Sequence, residues 1–123
     1  PFVPASLGYP TTWIKAEAPL TAVSIIAALH RGDIFISESP SGPQVVAERT
    51  ADAIQGVVVG AEGDALLAID QTGIVGALAI RDSSHRFKLP VIAESIYIRL
   101  EIHRATGGVR ALTNAYWRDP APV

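Results

Sequence analysis

The sequence predicts a mainly β domain: a sandwich of two sheets, preceded by an extended strap and a single α-helix. Three observations predict it. Prolines at 1, 4, 10 and 19 break the amino-terminal stretch. One short stripe with helical spacing follows and closes on a glycine. Beyond that glycine the apolar period drops from about 3.6 to 2, and turn signals recur roughly every 8–12 residues.

The strap, PFVPASLGYPTTWIKAEAP, has too many prolines for a long helix. Phe2, Tyr9 and Trp13 make it too aromatic for a free linker, so it is expected to be ordered and packed, with TTWIKAE as a short strand. In TAVSIIAALHRG, Thr21 is the expected N-cap. Ala22, Ile25, Ile26 and Leu29 fall at i, i+3, i+4 and i+7 on one face. His30 and Arg31 occupy the last turn, where cations suit the helix dipole, and Gly32 supplies the left-handed terminating position.

The strands come next. DIFISES alternates, and PQVVAER follows the SPSGP turn. IQGVVVGAEGDALLAID reads as two strands around a turn at Gly60–Asp64, and Gln71-Thr72-Gly73 turns the chain into IVGALAI. In SIYIRLEIH, Ile96, Ile98, Leu100 and Ile102 face one side while Tyr97, Arg99, Glu101 and His103 face the other, which fits a sheet with one wet face. RATGG turns again, and VRALTNAYW is the last strand. Six to eight short strands with this turn spacing are the pattern of an immunoglobulin-like β-sandwich. The expected division is strap and helix at 1–32, sandwich at 33–119 and tail at 120–123.

Composition limits function. The chain has 123 residues, 49% hydrophobic and 18% charged, a balance that supports a packed core. Net charge is −2, and the eight Arg and two Lys are scattered, which excludes the basic footprint of a nucleic-acid binder. No apolar run approaches the roughly 20 residues of a membrane-spanning helix, and no membrane partner is expected. The first ten residues lack a signal-peptide pattern, and a cytoplasmic location is the expectation. With no cysteine there is no disulfide, thiolate metal site or Cys nucleophile. The chain opens on Pro1 rather than Met and is expected to be a processed product or a fragment.

Few residues suggest chemistry. Arg31-Gly32-Asp33 is the tripeptide of cell adhesion, but here it joins a helix end to a strand start, and capping accounts for the glycine. His30, His85 and His103 are far apart and form no His-x-His pair. His85 lies in RDSSHRF, read as a polar connection. Asp82 with His85 is the one candidate metal or catalytic pair, and the sequence holds no nucleophile elbow for Ser83 or Ser84. The glycines of GVVVGAEG lie among strands, not at a helix start, so no phosphate cradle is expected. Trp13, Tyr97, Tyr116 and Trp117 are candidates for a sugar-stacking platform, or else for core plugs and interface anchors.

The strap, helix and first strand together resemble the carboxy-terminal part of metal-dependent hydrolases of the PHP (polymerase and histidinol phosphatase) superfamily, in the subgroup with an appended β-sandwich. Gly8, Pro10, Thr11, Thr12 and Trp13 match that group's GxPTTW-like segment. Thr21, Ile25, Ala28, Leu29 and Gly32 match its helix, and Phe35, Ile36, Ser37, Ser39, Pro40, Gly42 and Pro43 match its FISxSPxGP strand. RALTNAYW resembles the closing ALTNPIY strand, with Ala115 where proline is usual.

The resemblance implies that residues 1–32 are terminal elements of a metal domain and that the sandwich is its partner. It also implies a parent phosphoesterase-type hydrolase in which bound divalent metal ions activate water. The family's ligand motifs, His-x-His pairs and a closing Asp-x-His, are absent from this chain. The expectation is therefore a catalytically silent fragment with no cofactor of its own, bracing or covering a metal domain supplied by a missing portion or another chain, with self-association as a further expectation. Thr11, Thr12 and Trp13 either border that site or simply anchor the strap. The alternative is a free-standing sandwich that binds a small ligand or sugar.

Overall fold

The computed structural model describes residues 10–118. Phe2, Gly8, Tyr9 and the expected tail at 120–123 lie outside the described residues.

The chain runs β1 (Thr11–Ile14), α1 (Ala22–Arg31), β2 (Ile34–Ser37), β3 (Gln44–Arg49), β4 (Ala53–Val59), β5 (Ala65–Asp70), β6 (Gly73–Ala79), β7 (Ser84–Pro90), β8 (Tyr97–His103), β9 (Val109–Thr113) and β10 (Tyr116–Trp117). Two antiparallel sheets result. The larger has the order β1-β2-β9-β8-β5-β6, with β10 also paired to β8; the smaller is β3-β4-β7. Their inner faces supply one core. Val45, Ile54, Val58 and Phe87 come from the small sheet, and Leu66, Ala68, Ile98, Leu100, Ile102 and Ala111 from the large one. The protein is mainly β and a sandwich, as the alternating pattern predicts. Burying each such aliphatic side chain is worth about 1.5–3 kcal/mol.

The helix ends follow their local chemistry. Thr21 accepts a hydrogen bond from the Ser24 backbone N–H (3.1 Å), and the Ser24 hydroxyl accepts one from the Thr21 N–H (2.9 Å), a reciprocal capping box. Gly32 sits at φ 74°, where a side chain is disfavoured, and its N–H bonds back to Leu29 O. β1 pairs with β2 in the register Thr11↔Ser37, Thr12↔Ile36, Trp13↔Phe35, so this part of the strap forms an edge of the large sheet.

Two strands differ from expectation. RDSSHRF is not a connection. Ser84–Pro90 is β7, fully paired with β4, and it turns His85, Phe87 and Leu89 inward. The alternating Arg86 and Lys88 disguise it as loop, yet an edge strand tolerates charge on its open face. The last strand is broken at Asn114–Ala115. There the Thr113 hydroxyl accepts from the Leu100 N–H (2.9 Å), standing in for a carbonyl of the ladder, and pairing with β8 resumes at Tyr116↔Ile98. Ile96, expected to face inward with Ile98, is exposed because it precedes the strand.

Side chains close the open ends. Arg49 of β3 donates through Nη1 to the Tyr116 carbonyl (2.9 Å) and through Nη2 to the Ser95 carbonyl (2.7 Å), tying the small sheet to the large one. Asp70, buried at the β5–β6 turn, accepts from the Thr72 N–H (2.7 Å) and hydroxyl (2.6 Å) and from the Ser95 hydroxyl (2.6 Å). β6, at the far edge of the large sheet, carries no charged residue and exposes Ile74 and Val75. Among the described residues no helix is long and apolar enough to cross a membrane.

Candidate functional site

The first described elements present apolar side chains that no other described residue covers. Leu20, just before α1, is 74% exposed; on the helix Val23 is 77% exposed, and Ile26 and Leu29 are about half exposed. Of the predicted stripe only the Ile25 side is partly covered, while Ala28, one residue before Leu29, is the fully buried position. Beside the helix, β1 and β2 expose Ile14 and Ile36, and Leu112 of β9 continues that patch through its register with Ile36. Helices of soluble domains normally turn such residues toward a core. A contiguous exposed apolar face marks an interaction surface.

Thr11, Thr12 and Trp13 lie at its border. Thr12 is exposed on the outer side of β1, in register with Ile36; Thr11 and Trp13 turn inward. Trp13 stacks on Phe35, ring centroids 5.8 Å apart and planes 8° from parallel. Its indole Nε1 is buried without an acceptor among the described residues, and the same holds for the Ser37 hydroxyl as a buried polar atom. The stack anchors the strap to the sheet, and the three residues converge on no ionisable cluster.

Asp82 and His85 do approach: Oδ2 and Nδ1 are 3.5 Å apart. However, His85 Nδ1 accepts the Arg81 backbone N–H (3.3 Å), which commits that nitrogen's lone pair, and Asp82 is 74% exposed. Among the described residues, neither Ser83 nor Ser84 hydrogen-bonds that ring. No three His, Asp or Glu side chains cluster among the described residues in a way that holds a metal ion. Among the described residues, Asp82 and His85 stand without a third ligand.

The adhesion-like tripeptide is a helix cap. Arg31 Nε donates to Asp33 Oδ2 at 2.7 Å, bending the two charges toward each other around left-handed Gly32. That hydrogen bond, and the Asp33 charge, hold Arg31 above its ordinary pKa.

The four aromatics do not form one platform. Trp13 is with Phe35, Tyr116 packs against the core, and only Tyr97 and Trp117 meet, 5.7 Å apart and tilted by 58°. Burial pushes the Tyr116 phenol up.

Charge networks that the sequence does not announce brace the sheets. Arg110 reaches Asp64 Oδ2 (2.6 Å) and Glu38 Oε1 (2.9 Å from Nε), and Arg104 also bonds Glu38. Burial alone would raise Glu38, but hydrogen bonds from Arg110 and Arg104 outweigh it and hold the carboxyl below its usual range. Glu101 behaves alike: burial opposes ionisation, and bonds to His103 Nε2 (2.8 Å) and Arg99 Nε (3.1 Å) win. These partners are 2 to 72 residues apart in the chain, and only the Arg99–Glu101–His103 run on one strand face shows in the sequence.

No family model matches this chain, and no curated protein or solved structure matches it either.

Proposed function

We propose that this chain is the non-catalytic carboxy-terminal part of a PHP-type metal-dependent hydrolase, in which the sandwich braces or covers a metal-binding domain carried on other polypeptide. The single observation behind this reading is the bare apolar face of α1 and its neighbours Ile14, Ile36 and Leu112. It falls on the elements whose sequence resembles the junction of those enzymes. Strand order adds support for an immunoglobulin-like sandwich: β3-β4-β7 faces β6-β5-β8-β9. On this reading divalent metal ions, water activation and phosphoester cleavage belong to the other part, and α1 contributes packing.

The deciding experiment is the upstream coding sequence together with the intact mass of the natural protein. A preceding domain of about 150–300 residues, rich in His and Asp, is expected. A stop codon in its place overturns the proposal. Where the domain is found, Val23→Glu with Ile26→Glu should release the sandwich from it in limited proteolysis.

A second reading, a free-standing module for a small ligand or sugar, is favoured by the half-exposed Trp117 against Tyr97. Quenching of tryptophan fluorescence by sugars, lost in Trp117→Ala, supports it; no quenching removes it.

A further inference from the structure

The outer face of the small sheet is concave, with a groove of about 690 Å³ across its three strands. Register explains its shape. Ala47, Gly56 and Phe87 are partners in one row, and their side chains are directed inward, so backbone forms the floor. The neighbouring rows, Val46–Val57–Arg86 and Glu48–Gln55–Lys88, point outward as walls. Gly56 sets the curvature: a Cβ there would come within 2.0 Å of the Val46 carbonyl oxygen, so only glycine lets β3 and β4 approach this closely. Lys15, just beyond β1, reaches the groove from the β3 side.

The charges do not balance. Three of the ten cations of an acidic protein line this groove. Among the described residues, Lys15, Arg86 and Lys88 have no side-chain hydrogen-bond or ion-pair partner. Arg86 and Lys88 are two apart on the same strand face, so their like charges repel. The one carboxylate present, Glu48, is engaged by Gln55 Nε2 at 2.9 Å. Protection of an edge strand accounts for Arg86 and Lys88. It does not account for Lys15 on the opposite side, nor for the valines between.

We propose that this groove binds a small organic anion, a carboxylate or phosphate monoester on a flat apolar body. The body lies along Val46 and Val57, and the anionic group is held by Arg86 and Lys88 at one end or Lys15 at the other. This inference does not rest on the hydrolase reading.

The test is an NMR titration of the whole chain with 2-naphthyl phosphate and 2-naphthoate, against inorganic phosphate and uncharged 2-naphthol. Saturable shifts at the Gln55, Gly56, Val57 and Phe87 amides are expected from one or both naphthyl anions, the difference between them identifying the anionic group. Phosphate and naphthol should bind at least about tenfold more weakly. Arg86→Ala with Lys88→Ala should cost about tenfold or more in affinity, the scale of a lost charge-assisted hydrogen bond. In the unaltered chain, affinity should fall as salt rises, a readout independent of whether the variants fold. The proposal is overturned by no shift at millimolar probe, by shifts elsewhere, by equal binding of naphthol or of inorganic phosphate, by a salt-independent affinity, or by a folded double variant that binds as well as the parent.

Discussion

Replacing Thr113 by valine removes the two hydrogen bonds of one hydroxyl: the one it accepts from the Leu100 N–H and the one it donates to the Asn114 carbonyl, each 2.9 Å. The two side chains have nearly the same volume, so no cavity opens, but the acceptor for the Leu100 N–H disappears. Both residues are buried, at 2% and 0% exposure, so water cannot substitute. An orphaned buried donor costs about 1–3 kcal/mol. Against a total stability of about 5–15 kcal/mol, a loss near 2 should lower the urea midpoint by about 1 M and the melting temperature by about 8 °C or more. Urea denaturation followed by far-ultraviolet circular dichroism measures this, and hydrogen exchange at the Leu100 amide localises it. Thr113→Ser keeps the hydroxyl and should retain the amide's protection. If the valine variant matches the parent in midpoint and in protection at Leu100, while serine does not, the hydroxyl is not the rung that joins β8 to β9.

Three further outcomes follow from the same bookkeeping. Ser37→Ala, which removes a buried hydroxyl with no partner among the described residues, should be neutral or raise stability by about 1 kcal/mol in the same denaturation assay. Gly32→Ala meets both a left-handed backbone and the Asn114 amide, 2.6 Å from the new Cβ; a loss of about 1–2 kcal/mol is expected in the same assay. Asp70 is held below the ordinary carboxylate range by the Ser95 hydroxyl and by Thr72, and Glu38 and Glu101 are held low, against the opposing effect of burial, by the side chains that hydrogen-bond them. All three bind fewer protons folded than unfolded, so stability should be complete above about pH 4.5 and fall as pH drops through their folded values. Melting temperature against pH checks this; a flat profile from pH 5 to pH 2.5 contradicts it.

Local signals carried much of the fold. The Thr21 cap, the Gly32 stop and the alternation of β8 each depend on residues near one another; the first two emerged at their expected places, and the alternation holds from Tyr97 to His103 but not at Ile96. β7 escaped because its inward residues, His85, Phe87 and Leu89, alternate with charges and end on Pro90, a composition shared with loops. The break between β9 and β10 depends on a hydroxyl reaching across to another strand, which no spacing within VRALTNAYW reveals. Asp82 and His85 were found through proximity in sequence, yet a competing backbone donor decides what His85 does. Lys15, Glu48, Gln55, Arg86 and Lys88 share a groove only because β4 pairs on both sides, so no local window contains it.

The uncharged outer border of β6 has a practical consequence. A row of free peptide groups flanked by Ile74 and Val75 is a template on which another chain's strand can lay itself down. At high concentration, misassembly should begin at Gly73–Ala79 rather than at β7, whose arginine and lysine repel newcomers, and a single lysine at Val75 should be enough to keep preparations clear.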